Sequence, residues 1–567
     1  MNLKLSFDLL TIEVFYKENY NRIINSLVEK IYQIGNTEVI LDMYSPQEGR
    51  FLLILSVHPK LYRIQISNID LPYPSTPPPF CMFLRKHIEG AKIVDWKLIP
   101  KERILEFTFQ RVEEEKKKLI VELMGKYSNI ILVNENNVIL DAIKHVSSEK
   151  NRYREILPQQ IYLYPPKINK ISLLDIKEDE IEKLLEKENI KDVLVKEVLY
   201  ITPLIGEEIT QNPDRNIVKK RLLELKEKII KNEYTFLVYF LENKPYTYSL
   251  FPLTILSGLK YKVFNTLTET VDFIYSYALE NYLLEQYKKR LREIIENNLE
   301  KLQKKREELL EAIKEGESAE SLKIKGETLI LYQKDINRGP DKVILPNPYN
   351  EKELLEIDLD PALSPIDNAQ RYFKRYKKLK KGINILKEQL EKVENEIFYL
   401  NSLDLSLENS NKYGELQEIE EELISSGYIR EKRTKKKTQK RSQPYKFLLP
   451  GGYEVYVGKN NKQNDYITFN IASPEDLWFH ARGIPGAHVI LKTKSKEEVP
   501  QEIIEYTAEI AGYFSKGRNS SYVAIDYTKR KYVQKPKDAK PGFVIYKNEK
   551  TIFVKPENAL QFISQLV

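Results

Sequence analysis

Two histidines, His480 and His488, with the acid Asp476 just before them, are the groups whose types could hold a metal ion or pass a proton. Their spacing matches no recognised ligand pattern and no third histidine lies nearby, so satisfied structural histidines are the preferred reading. Cys81 is the only cysteine, which excludes an intramolecular disulfide and a cysteine-cluster metal site and fits a reducing compartment. With no P-loop and no activated nucleophile in the chain, neither metal nor cofactor is called for and no enzymatic active site is assigned.

Binding chemistry is denser than reaction chemistry. In GKNNKQNDYITFNIASPEDLWFHARGIPGAHVIL, from Gly458 to Leu491, the residues Lys459, Asn460, Asn461, Lys462 and Asn464 form a donor-rich loop beside a glycine, suited to phosphate or ribose oxygens. Trp478, Phe479, His480 and Arg482 add flat or cationic groups that can stack on bases. Lys516, Arg518, Lys535, Lys537 and Lys540 follow downstream. Each patch has a plainer alternative, Trp478 as core and the asparagines as a turn. Together they meet the basic-plus-aromatic pattern of a nucleic-acid binder.

Elements must hold these groups in place. Residues 36–145 alternate as half-buried strands do, in Val39, Leu41, Met43 and again in Leu105, Phe107, Phe109, with helical stretches on either side. Near 168 the pattern changes to short helices rich in lysine and glutamate that run to about 270. From about 271 to 315 one long helix carries Leu284, Leu291, Ile295, Leu302, Leu309 and Ile313 at steps of seven and four. Its partner is clearer: Tyr372, Tyr376, Leu379, Ile383, Leu386, Leu390, Val393, Ile397 and Leu400 alternate steps of four and three, the heptad seam of a coiled coil. The two arms are expected to pair antiparallel around a tip insert at about 317–365, where the prolines and acids of NPYNEKELLEIDLDPALSP exclude a continuous helix. An arm of about 40 residues spans roughly 60 Å, a reach that suits a very large partner. Residues 430–441, REKRTKKKTQKR, hold eight Lys or Arg against one Glu and read as a solvated tether rather than an RNA contact. A strand-rich region with one helix around Glu502–Tyr513 closes the chain.

The expected fold is therefore multidomain α+β: a strand-rich domain at 1–168, a helical domain at 169–270, a coiled coil at 271–425, a basic linker at 426–443 and an α+β domain at 444–567. Over the 567 residues, 90 Lys and Arg face 83 Asp and Glu, so any nucleic-acid affinity must come from local clustering rather than from net charge. The N-terminus lacks the apolar segment of a secretory signal and no stretch reaches bilayer length, so a cytoplasmic protein without membrane partners is expected.

The longest of these motifs also carry a resemblance. GKNNKQNDYITF, SPEDLWFHARGIPGAHVIL, YFSKGRNSS and KPKDAKPGFVIY resemble the NFACT-R domain, and PPPFCMFLRKHIEGAKI, KKLIVELMGKYSNIIL and DAIKHVSSEKNRYREILP resemble the NFACT-N domain. LDPALSPIDNAQRYFKRYKKLKKG is similar to the start of the second coiled-coil arm of the same RqcH/NEMF (NFACT) family, whose bacterial branch it resembles most. The resemblance implies a ribosome quality-control factor that recognises large ribosomal subunits obstructed by peptidyl-tRNA and recruits alanyl-tRNA, so that an alanine tail is added to the stalled chain. Peptide-bond chemistry then belongs to the ribosome. It further implies the ribosomal stalk base and a second small RNA-binding protein as partners. It implies tRNA contacts at Glu102, Arg103, Arg85 and Lys86, and RNA contacts at Lys459, Asn460, Asn461, Asn464, Trp478, His480, Arg482, Lys516 and Arg518.

Two positions depart from the family pattern. Glu102 stands where the family has an aspartate beside Arg103, which moves the carboxylate one methylene outward. In ITPLIGEE, similar to a helix-hairpin-helix turn, Leu204 stands where a glycine is usual and hinders close backbone approach to phosphate. Two alternatives come from related names: DNA glycosylases of the formamidopyrimidine type, which attack with an N-terminal proline amine where this chain begins Met1-Asn2-Leu3, and a fibronectin-binding surface adhesin, which needs export.

Overall fold

Alternating apolar residues in the first quarter of the chain build one antiparallel sheet. The computed structural model describes residues 3–563 apart from 75, 150, 168, 318, 338, 431–441 and 494–497, and the chain divides into two units, Met1–Leu283 and Leu284–Val567.

In the first unit, α1 (Leu9–Ile23) is capped by Asp8, whose carboxylate accepts from the Thr11 amide at 2.8 Å. The strands β1 (Leu27–Ile34), β2 (Glu38–Ser45), β3 (Gly49–Ser56) and β4 (Arg63–Ser67) follow, then α2 (Pro79–Ile88). β5 (Lys92–Leu98), β6 (Ile104–Gln110), β7 (Lys117–Glu122), β8 (Asn129–Val133) and β9 (Ile139–Ala142) complete nine strands in the order β4-β3-β2-β1-β5-β6-β7-β8-β9. Each strand neighbours the next in sequence except at the β1–β5 join, so nearly all of the sheet is closed by short turns. Phe7, Phe15, Val39, Leu41, Phe107 and Trp96 fill the core beneath α1 and α2. At the far end Arg154 forks onto Glu122 with two contacts of 2.6 Å, and Tyr162 donates to the same carboxylate at 2.8 Å. That buried charge pair is fully hydrogen-bonded, the condition for keeping it inside.

The helical region begins with a two-strand parallel pair, β10 (Ile171–Ser172) and β11 (Val198–Leu199), around α3 (Glu178–Leu185) and α4 (Ile190–Glu197). α5 (Pro203–Ile209) and α6 (Arg215–Lys231) follow. The expectation of helices to residue 270 is corrected here: β12 (Phe236–Leu241), β13 (Lys244–Ser249) and β14 (Lys260–Phe264) form a three-stranded sheet. Glu242 and Asn243 both take left-handed backbone, at φ 50 and 60, which makes the tight two-residue turn between β12 and β13.

α7 (Leu267–Glu317) runs through the boundary of the two units as a 51-residue helix. Past it lie α8 (Ala319–Leu331), the hairpin β15 (Lys342–Asn347) with β16 (Asn350–Asp358), and α9 (Pro365–Asn409). α9 starts on the Ser364 cap with Pro365 in its first turn, and its 45 residues measure about 68 Å. Ion pairs of Arg306 with Glu394 at 3.0 Å and Arg292 with Asp404 at 3.5 Å fix α7 and α9 antiparallel. The seam is not uniform: Val393 and Leu400 are buried, while Leu379 is 36% exposed. Where one arm was expected to run on, Ser410 leaves the helix and α10 (Tyr413–Ser425) turns back to pack Leu416, Ile419 and Leu423 against Leu291 and Leu403.

The C-terminal domain opens with β17 (Tyr445–Leu449), β18 (Tyr453–Val457) and α11 (Asn461–Tyr466). β19 (Leu477–Ala481), β20 (Val489–Leu491), α12 (Gln501–Tyr513) and β21 (Val523–Lys529) follow, then the short pair β22 (Val533–Gln534) and β23 (Ile545–Tyr546), β24 (Lys550–Val554) and α13 (Leu560–Ile563). Six strands form a sheet in the order β17-β18-β20-β19-β21-β24, and α12 covers one face through Ile503, Ile510 and Ala511. Of the basic linker expected at 426–443, residues 431–441 lie outside the described residues. Among the described residues no helix is long and apolar enough to cross a membrane.

Candidate nucleic-acid interface

In the first unit Glu102 and Arg103 sit in the turn between β5 and β6. Lys101 adopts a left-handed φ of 62, and the Glu102 amide donates to the Ile99 carbonyl at 3.1 Å, which closes the turn. The Arg103 carbonyl accepts from the Leu123 amide at 2.9 Å, pinning this corner to the end of β7. Arg103 is half-buried. Burial pushes the Asp8 carboxyl up, and the hydrogen bonds from Thr11 and then the Arg103 guanidinium pull it back, while Lys170 is lowered by burial and then by the same guanidinium.

Arg85 and Lys86 do not join that turn. Arg85 Nε donates to the Ile31 carbonyl at 2.8 Å, and Arg111, just past the end of β6, donates to the Lys86 carbonyl at 3.0 Å. The seven residues of β6 span about 23 Å, so the four predicted tRNA-binding residues lie at opposite ends of one strand rather than in one patch.

Gly206, in the hairpin-like segment, is needed for packing: a Cβ there would stand 2.9 Å from Val195 Cγ2. Leu204 packs against a small cluster of Leu237, Tyr239 and Leu253.

The donor-rich loop of the C-terminal domain is the larger surprise. Asn460 caps α11 by accepting from the Gln463 amide at 2.9 Å, and its amide group donates to Glu418 at 2.6 Å. Asn461 donates to Ser402 at 2.9 Å and to Glu422 at 3.0 Å, and Lys459 pairs with Glu415 at 2.8 Å. Glu415, Glu418 and Glu422 lie three and four residues apart, one face of α10, so the loop predicted to meet phosphates is seated on a row of carboxylates. Asn464 turns inward and accepts from the His488 amide at 3.0 Å. The flanking glycine serves this packing, since a Cβ on Gly458 would fall 2.1 Å from Asn464 Oδ1. Glu422 is buried, accepts from Tyr399 as well at 2.9 Å, and burial pushes its carboxyl up.

Trp478 also requires a correction. It is wholly buried with Ile467, Ile490 and Val533, so no base can reach its ring. His480 stacks on it at 5.7 Å between ring centroids, and His488 Nδ1 shares a 2.9 Å hydrogen bond with Thr468 Oγ1. Burial lowers His480 to about 4 and His488 well below its ordinary value, so both are neutral near pH 7. Among the described residues no group of three His, Cys, Asp or Glu is arranged to hold a metal ion. Lys516 reaches Asn401 at 2.7 Å on α9, and Arg518 lies 3.7 Å over the Tyr513 ring. Arg482 keeps most of its side chain in solvent while donating to Thr551 at 3.2 Å, and Lys462 of the loop is exposed as well. Sequence reasoning missed the three glutamates of α10, although their spacing in ELQEIEEE was readable as one helical face.

The family model for NFACT N-terminal and middle domains matches residues 8–442, and the model for the NFACT protein RNA binding domain matches residues 443–548. The chain is 34% identical to the Rqc2 homolog RqcH of Bacillus subtilis over 98% of each chain. It is 26% identical to the archaeal Rqc2 homolog aRqcH of Methanocaldococcus jannaschii, over 93% of this chain and 84% of that one. Among solved structures, the C-terminal piece of the fibronectin/fibrinogen-binding protein from Streptococcus suis is 33% identical, with a TM-score of 0.40 over 49% of this chain and 98% of that one.

Proposed function

The chain belongs to the NFACT family, and from that membership we propose that it is a ribosome quality-control factor that binds large ribosomal subunits obstructed by peptidyl-tRNA. The observation that carries this reading is end-to-end similarity to RqcH, with both family regions present in order. In this reading the protein acts in the cytoplasm and recruits alanyl-tRNA, so that alanines are added to the C-terminus of the stalled chain while the ribosome supplies the peptide-bond chemistry.

Two features support the division of labour. The 45-residue α9, paired with α7, gives a lever of about 68 Å, long enough to reach across a large particle. Arg103, half-buried on a pinned turn, is a pre-placed cation for a phosphate or base edge, and Glu102, next to it in the chain, is the acid that would orient it. The ribosomal stalk base and a second small RNA-binding protein belong to the same reading as partners.

Sucrose-gradient sedimentation of the tagged protein in cell extract is the test. The protein is expected with free large subunits rather than with intact ribosomes, and sequencing of the RNA that travels with it should return tRNA enriched in alanine acceptors. Cofractionation with intact ribosomes alone would overturn the subunit reading; large subunits without enriched alanyl-tRNA would overturn only the tailing step.

A further inference from the structure

The C-terminal sheet has two faces. One is closed by α12. On the other, outward positions alternate along the strands: Trp478, His480 and Arg482 on and just past β19, Asp526, Ala524 and Tyr522 on and just before β21, Thr551, Phe553 and Lys555 on and just past β24. The half around Trp478 is roofed by Ile467, Val533 and Tyr546. The other half is open: Phe553 is 71% exposed, Tyr522 59%, and the Arg482 side chain 61%.

The register sets these residues side by side. The Arg482 amide donates to the Ala524 carbonyl at 2.9 Å, and Ala524 pairs directly with Phe553. Val523 pairs with Val554, which puts Tyr522 opposite Lys555, whose ammonium stands 5.4 Å from the Tyr522 ring. Two large rings thus lie on a floor made low by Ala524, with a cation at each end. We propose that this open end of the sheet is a stacking platform for single-stranded RNA, with Phe553 and Tyr522 under unpaired bases and Arg482 and Lys555 on the phosphates between them.

Charge and shape both favour RNA. The next acid along β21, Asp526, is buried and occupied, accepting from Tyr546 at 2.9 Å and from Thr551 at 2.6 Å. It lies 3.9 Å from Arg482 Nε and so anchors the guanidinium from beneath, with Thr551 accepting from that guanidinium at 3.2 Å, while the Arg482 side chain stays 61% exposed to a phosphate. Exposed rings at strand spacing with cations at their margins suit bases of any identity, because every base has a flat face, and they suit unpaired bases only, because a duplex hides those faces. The site differs from the donor-rich loop, whose Lys459, Asn460 and Asn461 are engaged with α10. Phe553 and Lys555 lie beyond residue 548, where the match to the RNA-binding family model ends. The inference rests on the reading of the chain as an RNA-binding ribosomal factor and names where its last domain holds RNA.

The test uses the full chain, a fluorescein-labelled single-stranded RNA of about 12 nucleotides and its duplex, with cosedimentation on large subunits measured in parallel. Phe553→Ala should weaken single-strand binding about tenfold, Tyr522→Ala comparably, and Phe553→Trp should keep it. Lys555→Ala should lower the slope of log affinity against log salt by roughly 0.7. Both rings are exposed, so circular dichroism of the alanine variants should match the parent. Unchanged affinity in both alanine variants, or a duplex bound as tightly as the single strand, overturns the platform. If the parent still travels with large subunits in that case, the ribosomal reading survives. If the parent does not travel with them but Phe553→Ala weakens oligonucleotide binding, the platform stands and the ribosomal reading fails. Loss of cosedimentation with unchanged oligonucleotide affinity would make the patch a protein contact and overturn the RNA assignment.

Discussion

Both amide hydrogens of Asn461 go to partners in the same chain, Ser402 and Glu422, and that small fact changes how its neighbourhood reads. The residue types of a phosphate-binding loop were legible in GKNNKQND. What the types could not reveal was that three glutamates some forty residues earlier would fold back to meet them, since a donor carries no mark of which acceptor takes it. Glu422 gives the sharpest test. Its carboxyl is raised by burial, so it takes up a proton on folding; its contribution is full below its unfolded pKa and is lost as pH climbs through the folded value. Glu422→Gln keeps an acceptor for Asn461 and Tyr399 without the charge. Thermal melts between about pH 4 and about pH 8 should show the variant equal to the parent at the acid end and more stable at the neutral end. A neutral-pH midpoint several degrees lower would mean that the charge itself holds the joint. Arg103 belongs at this scale too: Arg103→Ala should reduce tRNA recovered with the protein severalfold with little change in melting, whereas a loss of stability of about 2 kcal/mol or more would assign the guanidinium to the Asp8 corner instead.

Among the elements, those set by local periodicity were readable and those set by a turn were not. The seam of α9 and the helix α12 of the last domain follow from residue spacing alone, whereas the short α11 and α13 do not. The β12–β14 sheet was hidden because FLVYFL is an apolar run that fits a buried helix or a strand equally well, and the decisive signal was the Glu242–Asn243 pair, whose left-handed backbone forces a hairpin. The break at Ser410 was hidden for a similar reason, since apolar spacing resumes in α10 after only a few residues. One position decides how closely the arms meet near the tip: a Cβ on Gly326 of α8 would lie 3.0 Å from the Phe373 ring on α9. Gly326→Leu gains helix propensity, yet it should cost about 1–3 kcal/mol through overpacking. Limited proteolysis should then cut the tip faster, and cosedimentation with large subunits should fall. Unchanged subunit binding in a variant whose tip is demonstrably loosened would separate the tip from recognition.

At the scale of the molecule, a surplus of only seven positive charges over 567 residues leaves recognition to placed groups rather than to a global field. The chain folds as two units with separate cores, one under α1 and α2, the other divided between the base of the arms and the sheet beneath α12. Calorimetry should therefore resolve two transitions. Arg154→Met, which leaves the buried Glu122 unpaired, should lower one of them, by about 3–5 kcal/mol, and Glu422→Gln should move the other. One transition shifted by both substitutions would show that the long helix common to the units couples them. The family resemblance made the order of regions readable from the sequence, but not their internal joints, which depend on contacts between residues far apart in the chain.

β24 also bears on how the protein can be handled. It is the outer strand of the six, and Val523, Ile525 and Tyr527 of β21 pair with Val554, Ile552 and Lys550 on it. A fragment cut at residue 548, where the family match ends, would remove that strand and leave β21 with a row of unmatched amides and carbonyls beside apolar side chains. Such an edge is a template for another chain. Insolubility of that fragment would report a missing neighbour in the sheet, not an inability of the domain to fold.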